Sequence, residues 1–179
     1  AYGNDFRDRD RSVRLSGEAY FEVSKTGQPF IVNANGIQVE VLGTTFNISA
    51  YPDEEYQTTL VNGSVKVSAE KGESLILKPS QQATIALGSN SIQVRTVDTS
   101  FYTSWVKGKI NFKDQRLEDI MKTLSRWYDM NVVYENEKLK NIRFGCNLNR
   151  YEEITPFVKL LEKTEEVHVK IEGNTCLLY

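Results

Sequence analysis

The stretch Leu42–Tyr51, "LGTTFNISAY", admits three readings. A glycine followed by two hydroxyl residues resembles a ligand-cradling loop. Asn47-Ile48-Ser49 has the form of an N-glycosylation acceptor. The alternation from Thr45 onward is that of an ordinary strand. In the strand reading Phe46, Ile48 and Ala50 enter a core while Thr45, Asn47, Ser49 and Tyr51 face out, because successive strand side chains point to opposite faces. Gly43 then serves a turn or a close backbone approach ahead of the strand. On that choice the segment packs, and the region around it is all-β.

The neighbouring segments repeat the pattern. From Leu15 to about Val97, short alternating stretches are punctuated at regular intervals by turn residues, as in all-β proteins. "AYFEV" sets Ala19, Phe21 and Val23 against Tyr20 and Glu22, and "IQVEV" sets Ile37, Val39 and Val41 against Gln38 and Glu40. Leu60 and Val65 flank Asn62-Gly63, a dipeptide suited to a type I′ turn. "TTLVNGSVKVS" is therefore expected to be a tight hairpin with Leu60, Val65 and Val67 on its buried face. "SLILK" and "QATIAL" are separated by Lys78-Pro79-Ser80, where proline's missing donor suits a turn or a strand edge, and "SIQVRTV" closes the series.

The period changes after Thr99. In "DQRLEDIMKTLSRWYDM" the apolar residues Leu117, Ile120, Met121, Leu124, Trp127 and Tyr128 recur at helical spacing, with Asp114 as expected N-cap and Glu118–Lys122 as a supporting i,i+4 pair. The strand "KINF" precedes this helix. After it come "NVVYE", "IRFGCNL", a second helix in "YEEITPFVKLLEKT" with Thr155 as cap and Pro156 in its first turn, then "VHVKIE" and "TCLLY" about a Gly173-Asn174 turn. An internal repeat maps Ile120 onto Ile154, Leu124 onto Val158, Trp127 onto Leu161 and Phe112 onto Phe144. Two β-α-β units follow, with helices on one face of a sheet. The expected class is mainly β plus α+β: an all-β domain over 1–99, a linker over 100–107 and a small β-α-β-β-α-β-β domain over 108–179.

Of the 179 residues 40% are apolar, which suffices for a packed core. Lys and Arg number 22 against 24 Asp and Glu without a sustained run of one sign, so no nucleic-acid partner is expected. No apolar run approaches the roughly 20 residues that span a bilayer. The charged start "YGNDFRDRDRSVR" lacks the apolar region of a signal peptide, and the expectation is a soluble chain or a soluble piece of a protein that is not.

Catalytic signatures are missing: there is no G-x-S-x-G, no phosphate-cradling glycine loop and no H-E-x-x-H. His168, the single histidine, alternates outward with Lys170 and Glu172 while Val167, Val169 and Ile171 point in. Asp53-Glu54-Glu55 beside Pro52 is a solvated loop, with a glycosidase or calcium site as the alternative. Cys146 and Cys176 lack metal-ligand spacing. Cys146 shares strand parity with Ile142, Phe144 and Leu148, as a buried thiol would, and both free thiols and a disulfide between the two stay open. No catalytic residue, cofactor or metal is expected, and the chain is read as no enzyme. The candidate partner-binding residues are Trp127, Tyr128, Val132 and Tyr134, on the end of the first helix and on a strand that could accept another by addition.

The order of motifs "VRLSGEAYFEVSK", "PFIV", "VEVLGTTFNISAY", "TTLVNGSVKVS" and "LKPSQQATI" resembles the successive signatures of the FecR family, in the form common among Bacteroidetes. "GKINFKDQRLEDIMKTLSRWYDMNVVYE" and "VKIEGN" resemble the domain that follows in those proteins, whose β-α-β repeat is similar to the signalling (STN) domains of secretins and TonB-dependent receptors. The resemblance implies a β-solenoid-like stack or flattened barrel of short strands for the first domain. It also implies the periplasmic part of a transmembrane anti-sigma regulator. In that family a cytoplasmic segment holds an extracytoplasmic-function sigma factor, one helix crosses the inner membrane, and the periplasmic part senses the N-terminal signalling domain of a TonB-dependent outer-membrane receptor in iron or glycan uptake. This chain has neither the cytoplasmic segment nor the membrane helix, and relatives carry further strands before the point matching "YGNDF". The implied chain is thus a periplasmic piece of a longer protein whose first β element is missing or frayed. Two other function classes stand beside this one: a carbohydrate-binding β-domain stacking sugars on outward Tyr20, Tyr51 and Tyr56, and, last, a glycosidase-like enzyme.

Overall fold

A computed structural model describes residues 11–70 and 72–179, and the chain divides into two compact units, Ala1–Thr103 and Ser104–Tyr179. Residues 2–10 of the charged start and the expected missing or frayed element lie outside those described, while the last four residues of that start, Arg11–Arg14, form a strand.

The first unit carries β1 (Arg11–Arg14), β2 (Gly17–Glu22), β3 (Phe30–Ala34), β4 (Ile37–Val41), β5 (Thr45–Ala50), β6 (Tyr56–Asn62), β7 (Val65–Ser68), β8 (Ser74–Leu77), β9 (Gln81–Ile85) and β10 (Gln93–Thr96). One sheet runs β1-β3-β4-β7-β8 and the other β10-β9-β6-β5-β2. The hairpins β3–β4, β5–β6, β7–β8 and β9–β10 go alternately to the one and to the other, so each sheet grows by a hairpin at a time. This is the form the expected stack of short strands takes, and it does not close into a barrel.

The apolar alternation sets the inner faces. Val32, Val39, Val41, Val65, Val67 and Leu77 of the first sheet meet Phe46, Ile48, Ala50, Leu60, Ala83 and Ile85 of the second in one core. Phe21 stacks on Phe46 at 5.0 Å between ring centroids and tilts against Phe30 at 5.8 Å, tying the layers together. Complete burial of a side chain such as Phe46 or Leu60 stabilises by about 1.5–3 kcal/mol.

The expected hairpin at Asn62-Gly63 is not there. β6 and β7 lie in different sheets, Asn62 still pairs with Thr45 inside β6, and Gly63 alone has a positive φ, 96°. Leu60 and Val65 are both buried, but from opposite layers. The type I′ geometry, which needs two positive φ angles, occurs at Asn35-Gly36 (φ 49° and 77°), joining the paired residues Ala34 and Ile37. Lys78-Pro79-Ser80 turns the chain between sheets, with Gln81 N–H donating to Lys78 O at 3.0 Å and Ser80 at φ 66°. The segment expected as a linker, 100–107, is wound into the helical turn α1 (Ser100–Thr103) and a 3₁₀ turn, Ser104–Lys107.

The second unit contains β11 (Lys109–Arg116), α2 (Leu117–Tyr128), β12 (Asn131–Tyr134), a 3₁₀ turn (Glu137–Asn141), β13 (Arg143–Asn149), α3 (Thr155–Glu162), β14 (Val169–Glu172) and β15 (Thr175–Leu178), the expected β-α-β-β-α-β-β order. These strands make two small sheets in place of one: β11 antiparallel to β13, and β12-β15-β14 with β12 parallel to β15. Leu117, Ile120, Met121 and Leu124 of α2 and Phe157 and Leu161 of α3 form the core with Phe144, Val167, Cys176 and Leu178.

Both expected caps are displaced. Asp114 lies in a bulge of β11 at φ 53°, held by the Arg143 guanidinium, and Arg116 occupies the N-cap of α2 without a side-chain capping bond, its guanidinium donating to the Glu118 carboxylate at 2.8 Å instead. The strand feeds directly into the helix, and the carbonyl of Ile142 receives the Leu117 N–H at 2.7 Å where a side-chain cap would have acted. Ile154 is the N-cap of α3 and Thr155 its first helical residue, with Pro156 in the first turn as expected. Val169 is half-buried and Ile171 46% exposed, because β14 is an edge strand whose end overhangs the core.

Candidate functional site

In the first unit the stretch Leu42–Tyr51 forms a corner and a strand. Phe46, Ile48 and Ala50 are fully buried as expected. Asn47 points to the outer side of its sheet yet is buried, its amide donating to the Glu18 carboxylate at 2.9 Å. Thr44 exchanges both backbone hydrogen bonds with Val23, and its hydroxyl donates to Ser64 O at 2.9 Å. A Cβ on Gly43 would come within 2.8 Å of Lys25 Cβ and 3.0 Å of Lys25 Cα, so close approach is what the glycine serves. Thr44 and Asn47 thus spend their polar groups within the unit, and the corner acts as a clasp.

The other polar candidates stand apart. Glu55 accepts from Gln57 at 2.8 Å in the exposed turn after Pro52. His168 is exposed as expected, with its ring 5.6 Å from that of Tyr179. Among the described residues no group of three or more His, Cys, Asp or Glu side chains is placed to hold a metal ion. The tyrosine trio proposed for sugars is broken: Tyr56 is 3% exposed on the core face of β6, with its hydroxyl bonded to Thr58, and burial raises its pKa against the lowering effect of that bond.

Of the candidate residues, Trp127 and Tyr128 lie at the end of α2, and Val132 and Tyr134 on the following strand, β12, in a different set of contacts. Trp127 is half-buried under the Arg150 guanidinium, 5.6 Å from its ring centre. Tyr128 donates to Glu152 O at 2.8 Å, and burial, then the Glu152 carboxylate, raises its phenol pKa. These contacts staple the loop after β13 to the end of α2. Beside them Leu124, Tyr128, Ile154, Pro156 and Phe157 line a cavity of about 40 Å³. That volume suits a water molecule or two and no sugar ring.

Val132 and Tyr134 turn their side chains against the core, and Val133, which sequence reasoning passed over, is 45% exposed. The Tyr134 hydroxyl is buried without a hydrogen-bond partner among the described residues, and its pKa is raised by burial first and by nearby Glu118 next. Lys140 lies over its ring at 5.2 Å. Cys146 and Cys176 are free and sit in different sheets. Burial pushes the half-buried Cys146 thiol up to about 11 and raises that of the buried Cys176 as well.

Residues 2–66 match the model of the FecR protein family, and residues 109–178 match that of the FecR C-terminal region. The chain belongs to the FecR family. Its FecR C-terminal region coincides with the strands and helices of the second unit, so the candidate residues on α2 and β12 lie within it. This FecR chain is also similar in fold to a proposed anti-sigma factor from Parabacteroides distasonis ATCC 8503, solved by crystallography at 1.65 and 2.50 Å. The first of those structures is 24% identical with a TM-score of 0.87, covering 100% of this chain and 84% of that one. The second is 24% identical with a TM-score of 0.85, covering 99% and 84%. No curated protein matches the FecR sequence.

Proposed function

We propose that this chain is the periplasmic sensor portion of a transmembrane anti-sigma regulator. The observation that carries the reading is that both FecR models match in order, one at each end of the same chain. The likeness in fold to a proposed anti-sigma factor supports it. On this reading 1–99 and 108–179 are the working domains and 100–107 connects them. The second domain binds the signalling domain of a TonB-dependent outer-membrane receptor, and docking shifts a conformational or proteolytic equilibrium that releases an extracytoplasmic-function sigma factor in response to iron or glycan. The action is recognition without catalysis. On the same reading a separate helix makes the membrane link; no helix among the described residues is long and apolar enough to cross a membrane.

The test is calorimetric titration of the chain with the purified signalling domain of the receptor encoded beside it. A saturable heat is expected. Its absence at high micromolar concentrations of both proteins overturns the reading.

A further inference from the structure

β12 is an edge strand, paired on one side with β15. In a parallel ladder one residue sends both its N–H and its C=O to the same neighbour, and the next sends both the other way. Asn131 N–H donates to Asn174 O at 2.7 Å and Glu135 N–H to Leu178 O at 2.9 Å, so the odd-numbered residues face β15. The peptide groups of Val132 and Tyr134 therefore face away from the sheet, and among the described residues no hydrogen bond engages them.

Edge strands are ordinarily guarded by charge, proline or a bulge. β14 carries Lys170 and Glu172, β11 has Lys109, Lys113 and a bulge, and β13 begins with Arg143. β12, Asn-Val-Val-Tyr, has none of these, and it presents the exposed Val133.

The flanks indicate what it pairs with. Exposed Asp129 and Glu135 bracket the strand, and no ion pair engages either among the described residues. Glu137 beyond them is already paired with Lys140 at 2.6 Å. Antiparallel pairing of β12 with a second copy, centred on Val132, would set Asp129 opposite Glu135; centred on Val133, it would set Asp129 opposite Glu137. Like charges directly opposed destabilise a ladder, so a second copy is disfavoured.

We infer that the free edge of β12 receives an extended segment of the protein partner by strand addition, with an apolar side chain over Val133 and basic residues meeting Asp129 and Glu135. This rests on the proposed function and assigns its docking mode: the main chain of Val132 and Tyr134, not their side chains, makes the contact.

The experiment is the same titration of the full chain, repeated with Val133→Lys, with Glu135→Lys and with the control Ile76→Lys on the β8 edge of the first unit. It is joined to amide hydrogen exchange of the free and bound chain by NMR. Val133→Lys should weaken binding about tenfold and Glu135→Lys roughly threefold, while Ile76→Lys leaves it unchanged. The Val132 and Tyr134 amides should become protected on binding. Wild-type heat with unprotected amides, or with Val133→Lys binding at wild-type strength, overturns the edge and leaves the functional reading standing. Absence of heat with the wild type overturns both.

Discussion

Gly63 closes the corner at which the chain passes from one sheet to the other, and Gly63→Ala probes that corner directly. Its φ is 96°, where an L residue is strained by about 1–2 kcal/mol. The added Cβ would lie 2.8 Å from Gly43 O, 2.9 Å from Thr44 Oγ1 and 3.1 Å from Thr44 Cα. Two of those neighbours are backbone, and the third is a hydroxyl fixed on Ser64 O, so none can swing aside. Overpacking of this kind costs about 1–3 kcal/mol, against about 0.5–1 kcal/mol regained from a stiffer unfolded chain. The net expectation is a loss of about 2–4 kcal/mol from the first unit. Gly27→Ala separates the terms, since Gly27 has a φ of 83° and nothing within 4 Å of the added atom. It should cost no more than about 1 kcal/mol. Both tryptophans, Trp105 and Trp127, belong to the second unit, so the first needs probes of its own. Urea unfolding is therefore followed by the amide resonances of Ile48 and Leu60. Equal losses from the two substitutions, within about 0.5 kcal/mol, would refute the claim that the corner is sterically closed.

Three further outcomes follow from single sites. Ser80→Gly relieves a residue at φ 66° whose backbone bonds to Leu60 and Val97 survive the change, so the first unit should gain up to about 1 kcal/mol; a loss in urea unfolding counts against it. Tyr134→Phe removes a buried hydroxyl without a partner, and tryptophan-monitored unfolding of the second unit should show unchanged stability or a gain of about 1 kcal/mol, whereas a loss above that would reveal a bond. With its pKa pushed up to about 11, Cys146 should resist iodoacetamide at pH 9 in the native chain, where a free thiol with pKa about 8.5 is mostly thiolate, and react as pH approaches 11. Folding thus favours the neutral thiol: its contribution to stability is intact below the unfolded pKa and lost as pH rises through about 11, and Cys146→Val should flatten that part of the alkaline unfolding curve.

The alternation of Phe46-Ile48-Ala50 and of Ile37-Val39-Val41 reads as buried faces because a strand's period is a local property, and those faces are buried. Which strand lies beside which is not local. Leu60 and Val65 bury the same surface whether β6 and β7 pair within a sheet or oppose each other across a core, so the pattern alone could not separate a hairpin from a crossing. The backbone could: Asn62 keeps its ladder partner Thr45, leaving one positive φ where a type I′ turn needs two. The same limit explains the caps. Asp114 has the residue type of an N-cap, but it is held in the bulge of β11, Arg116 takes the cap position, and the Ile142 carbonyl, brought in by β13, already receives the Leu117 N–H.

The candidate site divides along the same line. Trp127 and Tyr128 were legible from helical spacing, and both sit at the half-buried end of α2. Val132 and Tyr134, expected on a strand open to addition, lie on such an edge, and their side chains serve the core. The groups they turn outward are N–H and C=O, which every residue carries and no side-chain pattern marks. Parity then requires the outward side chain of an edge to come from the residue between the two that offer their backbone, which here is Val133. A sequence signal for such an edge is therefore the absence of guards, a short β-prone run with neither charge nor proline. Asn131–Tyr134 fits that description, and the acidic residues just outside it restrict what can be added without blocking addition itself.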